Sequence, residues 1–326
     1  MEMVTGSAGF IGNVLVRELL ARGRKVRALI RSASDNSSLE GLRVEKAVGD
    51  IHDIDSLIKA FRGIDTVYHL AGKISIMPGD RALIRRINLG GTKNVIDACL
   101  KCGVRRLVYT SSIHALKEPP MGTVIDEDMP FDPHSSRGEY DRSKALASLE
   151  VGKAAKDGLD SIIVCPTGVM GPYDFRISSI TQTFIDFARG GMSLTLDGAY
   201  DFVDVRDVAA GHIQAAEKGR TGENYLLSGQ RTTMDEMMSI LEEVSGAPKP
   251  RFKVPAWLVK TAGLFTPIYY RLANKAPRFT TYSISTLQSN SFISHKKASR
   301  ELGYSPRPIE ESIKDTFKWL RENRIL

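Results

Sequence analysis

Cysteine is scarce in this chain. Only Cys99, Cys102 and Cys165 occur in 326 residues, too few to close a zinc site by themselves. The first two form a C-x-x-C at the end of an amphipathic stretch, Thr92 to Gly103, where small residues at helical spacing pack as core, so neither redox nor metal chemistry is expected there. No apolar run reaches about 18 residues, which excludes an evident membrane-spanning helix. No basic, apolar, small-residue leader opens the chain, so the cytoplasm is the expected compartment. Internal repeats, low-complexity tracts and nucleic-acid-binding motifs are also missing. Acidic residues run short in one region alone. Up to residue 248 there are 30 basic and 33 acidic side chains, whereas 249–326 holds 15 and 5, which accounts for the net charge of +7. Such a region can meet an anionic substrate, a cofactor phosphate or an acidic membrane surface, but spread-out lysines more often form a solvated face. Within it the apolar stretch Trp257 to Tyr270 is broken by Gly263 and Pro267. Packing over a substrate cleft is its expected use, in preference to peripheral membrane contact.

What the chain does have begins at once. Met3-Val4 leads into Thr5-Gly6-Ser7-Ala8-Gly9-Phe10-Ile11-Gly12, where a strand must end, reverse and open a helix whose free N–H groups face an anion. Gly6 permits the turn, Gly9 lets a pyrophosphate approach Phe10 and Ile11, and Gly12 lets the helix pack on the strand. Only two or three apolar residues precede the turn, short for a first strand in a parallel sheet. Helical period then runs from Asn13 to Arg22 and a second strand follows over Val26 to Ile30. Val44 to Asp50 reads as a third strand, with Asp50 and Ile51 placed over an adenine. A helix from about Asp53 to Arg62 precedes a fourth strand, Thr66 to Leu70, which runs into Ala71-Gly72. This βα rhythm, with strands too apolar to face water, predicts a parallel sheet covered on both sides.

Asn88 opens the next predicted helix, and Arg105 to Ser112 is a strand ending in hydroxyls at Thr110, Ser111 and Ser112. The segment 113–139 is long and proline-bearing, as binding loops are. After it come Tyr140 and Lys144 at i and i+4 on one helix face, which brings an ammonium near a phenol. A free tyrosine titrates near pKa ~10, and a neighbouring cation lowers that value toward what acid–base work needs. Another strand, Ile162 to Val169, includes Pro166, Thr167 and Gly168. Beyond Pro172 the rhythm breaks into shorter pieces, except that Asp201 to Val208 leads back into a helix.

In order along nearly the whole chain, these motifs resemble the extended short-chain dehydrogenase/reductase family. The resemblance rests on Gly6, Gly9 and Gly12, Asp50, Leu70-Ala71-Gly72, Asn88 with Gly91-Thr92, and Thr110-Ser111-Ser112. It continues through Tyr140 with Lys144, Pro166 to Val169 with Gly171-Pro172, and Val203 to Val208. It implies an α/β fold with a Rossmann-type doubly wound parallel sheet of about seven strands, in a dinucleotide-binding domain over 1–171 with about 201–228 returning to it. A smaller C-terminal α+β substrate lobe would take 172–200 and 229–326. It also implies a bound nicotinamide dinucleotide and a catalytic set of Ser112, Tyr140 and Lys144. Tyr140 would exchange a proton with a substrate oxygen, Ser112 would hydrogen-bond that oxygen, and Lys144 would hold the nicotinamide ribose and depress the tyrosine pKa. A homodimer through helices near 84–102 and 140–156 is a further implication.

The second strand ends at Arg31, which favours NADP(H), since an arginine there accommodates a 2′-phosphate where a carboxylate would bond the 2′-hydroxyl; Asp35 keeps NAD(H) as the alternative. Sugar-modifying members of the family carry Tyr-Gly shortly after the catalytic serine and an arginine before the Asp-Phe-Val run. This chain has Leu116-Lys117 and Tyr200 instead, and so looks like the dihydroflavonol reductase branch. The expected activity is reduction of a ketone or aldehyde, with His114, Met170, Tyr173 and Arg176 as candidate substrate contacts beside Phe175. The alternatives are a nucleotide-sugar epimerase or dehydratase with tightly held NAD, and a cofactor-sensing regulator, a class that typically loses the tyrosine.

Overall fold

The computed structural model describes residues 1–32, 34–74, 80–192, 194–250, 252–254 and 285–326; the stretch Trp257 to Tyr270 lies outside them. Seven strands, β1 (Glu2–Thr5), β2 (Val26–Ile30), β3 (Glu45–Val48), β4 (Thr66–His69), β5 (Arg106–Thr110), β6 (Ser161–Pro166) and β10 (Asn224–Leu227), form one sheet. Its order is β10-β6-β5-β4-β1-β2-β3 and every pairing is parallel. Every residue of β4 and β6 is buried, as expected where helices cover both faces. The strand order reverses between β1 and β4, so a crevice opens at their carboxyl ends, where ligands bind in sheets of this kind.

One apolar layer packs under α2 (Ile54–Phe61), α4 (Gly91–Cys102) and α5 (Glu139–Lys156), with Leu57, Phe61, Val95, Cys99 and Val151 at its centre. The opposite layer joins α1 (Phe10–Ala21), α7 (Val205–Lys218) and α9 (Lys296–Leu302) through Leu15, Leu19, Val208 and Leu302. Asp53 starts α2 by accepting the N–H groups of Asp55 and Ser56, which satisfies two donors that a helix start leaves unpaired. Cys99 is core and its thiol is driven up in pKa by burial, in keeping with a packing role for the C-x-x-C.

Between β6 and β10 the chain builds β7 (Gly168–Met170), α6 (Ser179–Ala188), β8 (Leu194–Leu196) and β9 (Ala199–Asp204). After β10 come β11 (Gln230–Thr233), α8 (Met234–Ser245), β12 (Phe252–Val254) and α10 (Ile309–Glu322). A second sheet of order β11-β9-β7 and a β12-β8 pair sit on this side. Their core is aromatic and sulfur-rich, with Met170, Phe184, Phe187, Tyr200, Met237 and Phe317. The sequence reads Ile162 to Val169 as one strand; the structure breaks it at Thr167, whose hydroxyl donates to Asp201 at 2.6 Å.

The sequence places a helix start at Asn88. In the structure α3 (Arg81–Arg85) runs through a π turn, Arg86–Gly90, into α4. Asn88 therefore sits within continuous helix, in the middle of a widened turn. Such turns re-aim a side chain at little cost in backbone hydrogen bonds and cluster at functional sites.

Two buried histidines pin strand ends to helices. His69 Nδ1 accepts from Thr5 Oγ1 at 2.7 Å, and its Nε2 donates to Thr92 Oγ1 at 3.1 Å. His212 Nδ1 donates to the Val208 carbonyl at 2.7 Å and its Nε2 accepts from Thr110 Oγ1 at 2.7 Å. Burial lowers His69 to about 3 and His212 to about 4, so both are neutral in the fold. Between about pH 6.5 and about 4 the unfolded chain binds protons that these sites refuse. Stability therefore falls as pH falls through that window, by about 1.4 kcal/mol per pH unit for each histidine. Asp201, raised by burial to about 6, acts with the opposite sign below that pH. Urea unfolding between about pH 7 and about pH 5 should give a shallower decline for His212→Asn than for the unaltered chain, because one titrating site is gone; parallel declines would refute this account.

Candidate active site

The turn after β1 is built by steric exclusion. Gly6 has φ +67°, and a Cβ there would lie 2.7 Å from the Ala71 nitrogen and 2.8 Å from the Leu70 carbonyl carbon. A Cβ on Gly9 would stand 3.1 Å from the Gly6 oxygen, and one on Gly12 would collide with that same oxygen. Gly9 N–H closes the turn onto Gly6 O at 2.9 Å. No side chain caps the start of α1 and its first turn carries no acid. The leading N–H groups, from Phe10, Ile11 and Gly12, together with the positive dipole end, are thus left to the crevice. A glycine cradle without Cβ atoms, in front of an uncapped helix start, fits the pyrophosphate of a dinucleotide.

Along the crevice toward β3, Arg31 is exposed at the end of β2. Asp35 Oδ1 accepts the Ser37 N–H at 2.9 Å, and this bond holds the carboxyl below its usual range. Asp50 Oδ1 accepts the His52 N–H at 2.9 Å. Ile51 is buried against Gly91, where a Cβ would meet its side chain at 2.5 Å.

Toward β5 the structure brings the three expected reactive side chains together. Ser112 follows β5 and Tyr140 lies one turn before Lys144 on α5; the Ser112 hydroxyl opposes part of the upward shift that burial imposes on the Tyr140 phenol. Lys144 Nζ donates to the Thr110 carbonyl at 2.7 Å, lies 5.0 Å from the centre of the Tyr109 ring, and would be 3.4 Å from a Cβ on Gly72. Asn88 holds the floor: Oδ1 accepts from Lys73 N at 2.8 Å, while Nδ2 donates to Lys73 O at 3.1 Å and to Ser143 Oγ at 3.0 Å. In this structure burial outweighs the depression expected of the phenol: the Lys144 ammonium donates to the Thr110 carbonyl and faces the Tyr109 ring, and burial pushes Tyr140 up to about 12 and Lys144 down to about 8. Desolvation disfavours the charged form of each, so the two shift in opposite directions.

The four candidate substrate contacts separate. His114 stays at the site, its N–H donating to Ser112 Oγ at 3.2 Å and its Nε2 meeting Tyr200 Oη at 2.7 Å. Met170 is fully buried in the second core and presents no surface. Tyr173 and Arg176 are drawn elsewhere. Asn13 Nδ2 donates to the Tyr173 carbonyl at 3.1 Å, Arg17 lies 4.9 Å over its ring, and Arg176 Nη2 donates to the Asp35 carbonyl at 3.0 Å on the β2 loop. Of the Pro166 to Val169 run, Thr167 is tied to Asp201. Gly168 is where the Tyr200 ring comes closest, 2.8 Å from any added Cβ.

The scaffold behind these groups leaves no local signal in the residue pattern. Arg137 Nη2 donates to the His114 carbonyl at 3.1 Å, and its Nε pairs with fully buried Asp141 at 2.9 Å. The long loop between Ser112 and Tyr140 is strapped by the C-terminal segment. Asn290 N donates to Glu118 Oε1 at 2.8 Å, and Asn290 Nδ2 donates to the carbonyls of Pro120 at 3.2 Å and Thr123 at 2.7 Å. Among the described residues no group of His, Cys, Asp or Glu could hold a metal ion, and no helix is long and apolar enough to cross a membrane.

Known proteins resemble this chain in sequence and in fold. A model of the NAD dependent epimerase/dehydratase family matches residues 3–228. Sterol demethylase protein B of Methylococcus capsulatus is 39% identical over 99% of both chains. A Synechocystis protein with a provisional dihydroflavonol 4-reductase name is 31% identical, covering 98% of this chain and 94% of its own. The crystal structure of gox2253 superposes with a TM-score of 0.87 at 32% identity, over 99% of this chain and 98% of that one.

The cradle has a direct test in stability. Gly6→Ala combines a left-handed backbone with a clash on the 70–71 backbone, and should cost about 2–4 kcal/mol. Gly23→Ala, at φ +71° with nothing within 4 Å, should cost only about 1–2 kcal/mol. Thermal unfolding of both variants reads the difference, and equal losses would count against the clash.

Proposed function

The chain belongs to the NAD-dependent epimerase/dehydratase family, and on that premise we propose that it is an NAD(P)-dependent oxidoreductase that reduces a ketone or aldehyde carbonyl on a largely apolar substrate. The observation that carries this reading is the convergence of Ser112, Tyr140 and Lys144 at the carboxyl ends of β4 and β5, one strand away from the glycine cradle. Gly6, Gly9, Phe10, Ile11 and Gly12 would hold the pyrophosphate, Arg31, Asp50 and Ile51 the adenosine half, and Leu70, Ala71, Gly72, Asn88 and Thr110 the nicotinamide half with Pro166, Thr167, Gly168 and Val169. The dinucleotide, when bound, supplies the hydride that the carbonyl carbon receives.

The chain's own residues handle the proton. Tyr140 Oη carries a proton throughout the neutral range and gives it to the carbonyl oxygen as that atom gains electrons. Ser112 Oγ hydrogen-bonds the same oxygen and so fixes its distance from the phenol. A buried ammonium on Lys144 favours the phenolate that the donation leaves behind.

Two observations favour a carbonyl reductase over a nucleotide-sugar enzyme. Tyr200 stands where the sugar-modifying members carry an arginine, and it is buried and engaged with His114, so this position offers no cation to a diphosphate. The relatives' names, a sterol demethylase protein and a dihydroflavonol reductase, point to an apolar polycyclic substrate. NADP(H) is favoured because Arg31 is exposed at the ribose end while the Asp35 carboxylate is occupied by Ser37 N–H.

Fluorescence titration with NADPH and NADH, followed by a panel of apolar ketones and aldehydes, tests the reading. Tyr140→Phe should bind cofactor like the unaltered chain and lose a factor of about 10²–10⁴ in kcat. Co-purified NAD with no net cofactor consumption would overturn the reductase reading. In the same assay kcat/KM for reduction should fall as pH rises through about 8, where Lys144 gives up its proton. That limb should be missing from the residual activity of Lys144→Met; a profile identical to the unaltered chain would exclude Lys144 as its source.

A further inference from the structure

The segment after β7 does something that the reductase reading does not require of it. Arg176 stands between two non-glycine residues held at positive φ, Tyr173 at 70° and Ile177 at 48°. For a β-branched residue such as Ile177 this is a costly conformation, which persists only where the surroundings enforce it. The enforcement is visible on every side. Asp174 is buried and its Oδ2 accepts from Ser178 N and Thr181 Oγ1, both at 2.7 Å. Asn13 grips the Tyr173 carbonyl at 3.1 Å. Arg17 lies over the rings of Tyr173 and Phe175 at 4.9 and 5.7 Å, and Trp319 of α10 meets Phe175 edge-on at 5.3 Å.

This clamp carries one guanidinium across α1 to the turn that follows β2. Arg176 Nη2 donates to the Asp35 carbonyl at 3.0 Å. The same turn is closed by the Arg31 carbonyl, which accepts from Ser34 N at 3.1 Å and Asn36 Nδ2 at 3.2 Å. Its carboxylate, Asp35, points its Oδ1 at Ser37 N–H. The turn therefore begins at Arg31 and receives Arg176 at the Asp35 carbonyl, and both arginines are exposed. A guanidinium has five N–H donors in a fixed fork, and a planar fork of this kind matches a phosphate. The ligand chemistry that fits is a phosphate monoester on the ribose at the end of β2.

We propose that Arg176 is a second ligand for the 2′-phosphate of NADP(H), so that cofactor choice is made jointly by the end of β2 and by the segment after β7. The proposal rests on the NADP(H) preference given above. Removing one charge-assisted phosphate contact is worth about tenfold in affinity or more. Equilibrium fluorescence titration of the full chain should show Arg176→Met weakening NADPH by about tenfold or more with NADH unchanged within about twofold, and Arg31→Met doing the same. Competition with 2′,5′-ADP should weaken by the same factor in Arg176→Met, while competition with 5′-AMP stays as it was. Equal weakening of NADPH and NADH by Arg176→Met would show that the side chain only anchors the loop, and no weakening of either would show that it touches no cofactor; both overturn the proposal. Loss of preference in Arg31→Met but not in Arg176→Met overturns the proposal alone. An unaltered chain that binds NADH as tightly as NADPH overturns it together with the NADP(H) preference, whereas full turnover by Tyr140→Phe strikes only the catalytic reading.

Discussion

The close approach of the Gly6 turn to the backbone of Leu70 and Ala71 is the contact on which this architecture depends. No side-chain atom fits between them: a Cβ on Gly6 would come to 2.7 Å of a backbone nitrogen. β1 and β4 are the parallel neighbours between which the strand order reverses, and that reversal creates the crevice. His69 fastens the contact from below through Thr5 and Thr92, and the Thr5 hydroxyl also accepts the Ala71 N–H at 3.3 Å. A single neutral imidazole thus links the strand before the phosphate turn, the strand before the 70–72 loop and the helix that carries Asn88. Moving any one of these would move the others.

The electrostatics of the site follow from burial more than from pairing. Tyr140 and Lys144 lie four residues apart on α5, yet the carbonyl of Thr110 and the face of Tyr109 receive the ammonium. Both side chains are pushed toward neutrality by the same low-dielectric surroundings, the phenol by keeping its proton and the lysine by surrendering it more readily. Behind them, Arg137 and Asp141 pair in the interior and hold the backbone that carries His114. The polar groups around the reaction centre are arranged in advance, as a site must be if it is to act on developing charge without reorganising.

What could be read from the chain was whatever is local. Glycine spacing, βα rhythm and the i, i+4 pair are short-range signals, and the fold and the Ser112, Tyr140 and Lys144 grouping follow them closely. The π turn at Asn88 was not legible, because the phase shift of an inserted residue shows only against helix on both sides, and α3 (Arg81–Arg85) is too short to set a period before it. Nor was the Tyr200 to His114 bond, which joins residues 86 positions apart. Adjacency in sequence to a strand end misled for Met170, Tyr173 and Arg176. Met170 lies on the fully buried face of its strand, and a left-handed residue at 173 turns the chain toward α1. Neither backbone sign nor sheet membership is written in residue type alone.

The strap over the long loop has a consequence for how this protein comes into being. Strands β1 to β6 can begin to assemble from the first half of the polypeptide, but the loop between Ser112 and Tyr140 receives its hydrogen bonds from Asn290, 172 residues beyond Glu118. A chain emerging from the ribosome therefore makes its sheet scaffold early and finishes the wall of its reaction chamber last. Contacts so distant in sequence are slow to close, because loop entropy must be lost before they return any stabilisation. Until then the Gly6 turn can stand against Leu70 and Ala71 while the segment between Ser112 and Tyr140 still lacks the hydrogen bonds of Asn290.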